Sequence, residues 1–140
     1  MDLLVPARGE PYRTVELPDL GAHATAIPHL KYLLEAPTHS ILLGRDRIVP
    51  VAIPDAGRYC VHKLAVYSLR GGNNPKRAKD LQQAALLAVA MTHERDFKLR
   101  DAIDALSPSL RRLAKAGARD ASAMITGDHV EAADALRAIG

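Results

Sequence analysis

Lys63 and Arg70 lie two helical turns apart, with Tyr59 and Val66 or Tyr67 on the same side of a helix of 3.6 residues per turn. Beyond a Gly71-Gly72-Asn73-Asn74 turn, Lys76, Lys79, Asp80 and Gln83 form a second such row. If the two helices run antiparallel with these rows facing, several cations gather around one carboxylate. Clustered cations repel one another unless an anion joins them, so the pattern suits a phosphate-bearing ligand. The plain alternative for Lys63, set in the apolar run Val61-His62-Lys63-Leu64-Ala65-Val66, is a lysine whose stem covers the core while its head reaches water. Asp80 directly precedes Leu81, near the apolar side, where an unpaired carboxylate is costly. It is expected to pair with Lys63 or Lys76, or to serve chemistry.

Asp2, between Met1 and Leu3, is the other acidic residue of interest, because Mg²⁺ is commonly held by one or two carboxylates together with phosphate oxygens. Its alternative is a frayed end. The six histidines are scattered and none makes an HxxxH pair, so no zinc pattern is present. Neither a nucleophile elbow nor a glycine-rich phosphate loop occurs. Cys60 and His62 are not a catalytic pair, since neighbours that close on a helix do not face each other. Arg111, Arg112, Lys115 and Arg119 form a basic strip that reads first as a solvated face and second as an RNA contact.

The elements that must position these residues are legible. With 48% hydrophobic and 25% charged residues, a 140-residue chain can bury one real core, so a single domain is expected, β-rich over residues 1–54 and helical over residues 55–140. Strands are expected at residues 3–5, 14–17 and 22–26, and a short helix at 27–35. A hairpin follows, its arms at 40–43 and 47–53 flanking Gly44-Arg45-Asp46. Pro50 and Pro54 imply that its second arm lies near a sheet edge or leaves the sheet early. Asp55 is a plausible N-cap for a helix over 58–69, and Pro75 starts another over 75–92. Leu81, Ala84, Ala85, Leu86, Ala88 and Val89 are expected inside. Later helices are expected over 97–106, with Phe97, Ile103 and Leu106 inward, over 108–125, and near the end with Val130, Ala133, Leu136 and Ile139 on one stripe.

The net charge of +3 permits a polyanionic partner without demanding one, and aromatics at 4% with no Trp argue against a base-stacking platform. A single cysteine fits a reducing, cytoplasmic setting, and no apolar run reaches the ~20 residues of a membrane span.

Pro54, Arg58, Tyr59, His62, Lys63 and Leu64, then Arg70, then Lys76, Lys79, Asp80, Leu81, Gln83 and Ala84 resemble the C-terminal half of a bacterial family with the nucleotidyltransferase fold. That family is similar to the minor nucleotidyltransferases and the AbiEii-type toxins of toxin–antitoxin systems. The resemblance runs from Asp2 to about Met91 and implies an α+β fold, a small mostly antiparallel sheet followed by a helical bundle. It implies Mg²⁺-dependent transfer of a nucleotidyl group from an NTP to an acceptor, RNA or protein. Lys63, Arg58, Arg70, Lys76 and Lys79 would meet the nucleotide, Asp80 would orient Lys63 or help the acceptor, and Asp2 would be a catalytic, metal-holding carboxylate. The family pattern also calls for a Gly-Ser turn and an Asp-x-Asp pair ahead of Asp2, which this chain does not carry. One of three carboxylates is present, so the chain by itself is expected to be an incomplete catalyst: either a second, upstream polypeptide completes it beside residues 3–5, or the chain is a truncated or remnant form. A non-catalytic module that binds protein or RNA through its basic helices is the alternative.

Overall fold

The computed structural model describes residues 3–95, 97–125 and 127–140. Alternating apolar positions make three short strands, β1 (Leu4–Pro6), β2 (Thr14–Leu17) and β3 (Ala22–Ile27). Their order is β1-β3-β2, with β1 parallel to β3 and β2 antiparallel to it. The connection from β2 is a 3-10 turn closed by Gly21 at φ 55°, a left-handed position suited to glycine. Ala24 and Ala26 of β3 face inward, and helix α1 (Leu30–Leu34) buries Leu30, Tyr32 and Leu33. Strands β4 (Thr38–Leu43) and β5 (Ile48–Ile53) form a separate antiparallel hairpin in which Ile41 opposes Pro50.

The remainder is helical: α2 (Ala56–Leu69), α3 (Lys76–His93), α4 (Lys98–Asp104), α5 (Pro108–Met124) and α6 (Val130–Arg137). Helix α2 begins where the Asp55 carboxylate accepts the Arg58 amide at 3.0 Å, satisfying one of the donors that a helix start leaves open. Ser107 caps α5 in the same way through the Leu110 amide. Pro75 stands at the N-cap of α3, one position ahead of the expected place. Helix α2 is the centre of the bundle, with α3, α5 and α4 against it. Cys60, Val61, Leu64 and Ala65 from α2 share one core with Leu81, Ala84 and Ala88 of α3 and with Leu110, Ala114, Ala118 and Ala121 of α5. Many of these are alanines, so the helices approach closely. A Cβ at Gly117 would lie 2.5 Å from the Leu64 carbonyl oxygen, and one at Gly57 would lie 2.2 Å from that of Lys98. Both glycines are therefore points of backbone contact.

The α+β architecture is as expected, with four local differences. Helix α1 starts at Leu30, because Ile27 belongs to β3 and pairs with Pro6. Leu86, expected inside, is 70% exposed, since the buried stripe of α3 runs Leu81, Ala84, Ala85, Ala88, Met91 and Leu86 falls off it. Phe97, 71% exposed, precedes the first turn of α4, and Val130 opens α6, so neither sits on its helix's inward stripe. Among the described residues no helix is long and apolar enough to cross a membrane.

Candidate functional site

Helix α2 carries Lys63 on one flank and ends at Leu69; its extended C-cap residue, Arg70, follows, and the first turns of α3 bring Asp80 against both cations. Lys63 Nζ donates to Asp80 Oδ1 at 2.7 Å, and Arg70 Nε donates to Asp80 Oδ2 at 2.5 Å. Asp80 is only 3% exposed, whereas both cations keep part of their surface in solvent. Each carboxylate oxygen thus receives its own cation, which is how a carboxylate this deep avoids the cost of burial. The Lys63 ammonium also lies over the Tyr59 ring, 5.1 Å from its centroid. Burial alone would lower the Lys63 pKa, but the hydrogen bond and charge of Asp80 outweigh it and hold the ammonium above its usual value. Two positive charges against one negative leave an excess of one, at the water-facing rim of the cluster.

The remaining expected site residues are placed differently. Lys76 and Lys79 share the start of α3 with Asp80 but are exposed, so Asp80 pairs with Lys63 and not with Lys76. Arg58 points to α1. Its guanidinium donates to the Tyr32 carbonyl at 2.7 Å, pairs with Glu35 at 3.3 Å and stacks on the Tyr32 ring. That is a joint between α1 and α2, on a different side of α2 from Lys63. Asp2 lies outside the described residues.

A second polar cluster, on the α5 side of α2, had no clear mark in the sequence. Tyr67 donates its hydroxyl to Asp120 at 2.8 Å, and the Arg77 guanidinium covers the Tyr67 ring at 3.7 Å. The hydrogen bond from Tyr67 holds the Asp120 carboxyl below its usual range. The helical offset of Tyr67 from Lys63 was a usable signal, but nothing in the chain marks Asp120 as its partner. The basic strip also divides. Arg111 is occupied by the carbonyls of Ile103, Ala138 and Ile139, which fastens the end of the chain to α5. Arg112, Lys115 and Arg119 join Arg137 around a hollow of about 530 Å³, with Lys115 donating to the Gly140 carbonyl and Arg119 and Arg137 paired with Asp120 and Asp134.

Two candidates for chemistry are closed. Cys60 is fully buried with its thiol against the Ala84 carbonyl, and burial pushes its pKa up to about 12, so it is no nucleophile. Among the described residues no three His, Cys, Asp or Glu side chains cluster as a metal site. Asp80 fits a metal poorly, because both of its oxygens already face cations. The described residues therefore do not make up the Mg²⁺ site that the sequence resemblance implies.

Residues 1–107 match the family model described as "Nucleotidyltransferase". No curated protein and no solved structure matches the chain.

Proposed function

The chain belongs to the nucleotidyltransferase family, and from that premise we propose that it takes a nucleoside triphosphate, with Lys63 and Arg70 meeting the phosphates and Asp80 holding both cations in place. The observation that carries this reading is the nearly closed-off Asp80 carboxylate with one cation on each oxygen. An ammonium has three N–H donors and Asp80 takes one of them from Lys63. Arg70 uses Nε on Asp80, which leaves its two terminal nitrogens directed away from that bond. Fixed in this way, the donors lose little freedom when a phosphate arrives, and they would balance the charge that grows on a leaving pyrophosphate during nucleotidyl transfer. Lys76 and Lys79, exposed at the start of α3, would add to the field that draws in a polyanion without fixing its position. Mg²⁺ is part of the proposed reaction through the family resemblance. The resemblance gives Asp2 as its ligand.

Isothermal titration of an NTP in the presence of Mg²⁺ tests the reading. Lys63→Gln should weaken binding by roughly tenfold or more, about 1.4 kcal/mol, while Asp120→Asn leaves it unchanged. No heat from the unmodified protein at millimolar NTP, or equal affinity for Lys63→Gln, would overturn it.

A second reading rests on the hollow ringed by Arg112, Lys115, Arg119 and Arg137, a surface that suits the phosphate backbone of an RNA. RNA binding that falls steeply with salt, is lost in Arg112→Glu/Lys115→Glu and is indifferent to Lys63→Gln would favour it.

A further inference from the structure

The three-stranded sheet carries a hollow of about 620 Å³ that shares no residue with the Lys63–Asp80 cluster. Its floor is apolar and its rim is basic, with Val5, Ala7 and Val15 below Arg8, Arg13 and Lys31. Strand pairing explains the floor. Val5 lies opposite Ala26 and Val15 opposite Ala24, so both valines share the inward face of the sheet with these alanines. Cover of that face is incomplete, since the two alanines are buried while the two valines keep some contact with water.

The backbone sets the rim. The Tyr12 amide donates to the Ala26 carbonyl at 2.7 Å and the Ala26 amide donates to the Arg13 carbonyl at 2.9 Å, so Tyr12 and Arg13 together oppose Ala26. This is a β-bulge of the kind that takes glycine at its first position, and here that position holds Tyr12 at φ 63°. From the bulge, Arg13 alternates past Thr14 onto the side of Val15. Lys31 comes from the other wall, on α1, just beyond His29 at φ 58°. Two of the three described non-glycine residues at positive φ thus stand one or two places ahead of a rim cation. Bulges re-aim side chains beside ligand sites, and backbone strain of this kind gathers there.

The charge of the hollow is unanswered. No Asp or Glu lines it, and Glu16 alternates to the opposite face of β2. Among the described residues, the side chains of Arg8, Arg13 and Lys31 make no hydrogen bond or ion pair. The basic hollow near the end of the chain differs, because Lys115, Arg119 and Arg137 there already have oxygen partners. Three cations without a counter-charge repel one another until an anion joins them.

We propose that this hollow binds a small organic phosphate, a phosphoryl group joined to an apolar or ring-shaped body. A phosphate monoester carries a charge of about −1.5 to −2 near neutral pH and three acceptor oxygens, which suits three cations better than the single charge of a carboxylate. Each arginine can present paired N–H donors to it. The apolar floor receives the body of the ligand, and the volume falls within the range of about 300–1,000 Å³ usual for small-molecule sites. A nucleic acid backbone would use the rim and leave Val5, Ala7 and Val15 without a partner. The site uses neither Lys63, Arg70 nor Asp80, so it stands apart from the function proposed above.

Phenyl phosphate is the probe, followed by the amide NMR spectrum of the full chain. Saturable shifts should appear at Val5, Val15 and Lys31. Arg13→Gln and Lys31→Gln change exposed side chains without partners on separate elements, and each should weaken binding by roughly threefold to tenfold with the rest of the spectrum unchanged. Lys63→Gln should leave these shifts as they are, so failure at this site and failure of the NTP reading are told apart. Inorganic phosphate and benzoate should each bind about tenfold more weakly than phenyl phosphate, one for want of the apolar body and the other for want of charge. No shift at these amides with millimolar phenyl phosphate would overturn the proposal, as would shifts that survive Arg13→Gln/Lys31→Gln. Equal binding of inorganic phosphate would mean an adventitious ion only, and equal binding of benzoate would remove the phosphate; either result overturns it. A short single-stranded RNA that shifts these amides at lower concentration than phenyl phosphate overturns it too, because the rim then serves a backbone.

Discussion

The two sides of helix α2 are built on different principles. Toward α5 the joint is steric. Gly117 lets the α5 backbone rest on the Leu64 carbonyl, alanines fill the rest, and the polar link between Tyr67 and Asp120 sits at the margin. Toward α3 the joint includes a charged centre, with the Asp80 side chain 4% exposed and fastened to Lys63 and Arg70, beside the Leu81 and Ala84 packing. Asp120, at 31%, has water as an alternative partner, while Asp80 has almost none. Charge placed that deep is a poor route to stability, since an apolar replacement of similar volume often holds as well. The α5 side has the features of an interface selected for packing. The α3 side keeps two cations at a fixed position around Asp80, the arrangement on which the proposed phosphate contact rests.

That contrast can be tested by variants whose effects should fall in a definite order. The largest should come from the double substitution Lys63→Met, Arg70→Met, which leaves a buried carboxylate with neither cation and should cost about 3–5 kcal/mol in urea unfolding. A loss below about 1 kcal/mol would mean that Asp80 finds water easily, and the contrast would collapse. On the steric side, Gly117→Ala forces a methyl into the Leu64 backbone and should cost about 1–3 kcal/mol by overpacking, without changing NTP affinity. Asp120→Asn should cost only about 1 kcal/mol, since the carboxylate accepts from Tyr67 and from the exposed Arg119 with solvent within reach.

The smallest expected effect is in the pH profile. The folded pKa of Asp120 is depressed, so its contribution is present above the unfolded value of 3.8 and is lost as pH falls through the folded pKa. Lys63 has a raised pKa, so its contribution is present below 10.5 and is lost as pH climbs through the higher folded value. Asp120→Asn should flatten the acid limb of the stability curve and Lys63→Gln the alkaline limb. An acid limb unchanged in Asp120→Asn would show that the bonds from Tyr67 and Arg119 do not persist in solution.

Much of this fold could be read from local chemistry. Asp55 and Ser107 announce helix starts by their capping oxygens, the Gly71-Gly72-Asn73-Asn74 turn separates two helices, and Gly44-Arg45-Asp46 closes a hairpin. Such signals work because the interaction lies within a few residues of itself. Burial at helix ends was less legible. Leu86, Phe97 and Val130 are apolar but sit off the inward stripe or ahead of the first turn, where hydropathy alone does not distinguish them from core residues.

The sequence by itself determined that Lys63 lies on a helical face and that Asp80 needs a cation, because helical periodicity and the cost of burying charge are local matters, whereas Arg70 reaches the same carboxylate from the extended C-cap of α2. Only the tertiary structure decided which cation. It gave Asp80 to Lys63 and Arg70, left Lys76 and Lys79 in solvent, and turned Arg58 to the Tyr32 carbonyl and Arg111 to those of Ala138 and Ile139, far along the chain. Periodicity fixes the angle of a side chain about its own helix axis. It carries no information on which neighbouring helix will stand at that angle, and that is set by how the alanine-lined and glycine-lined faces pack.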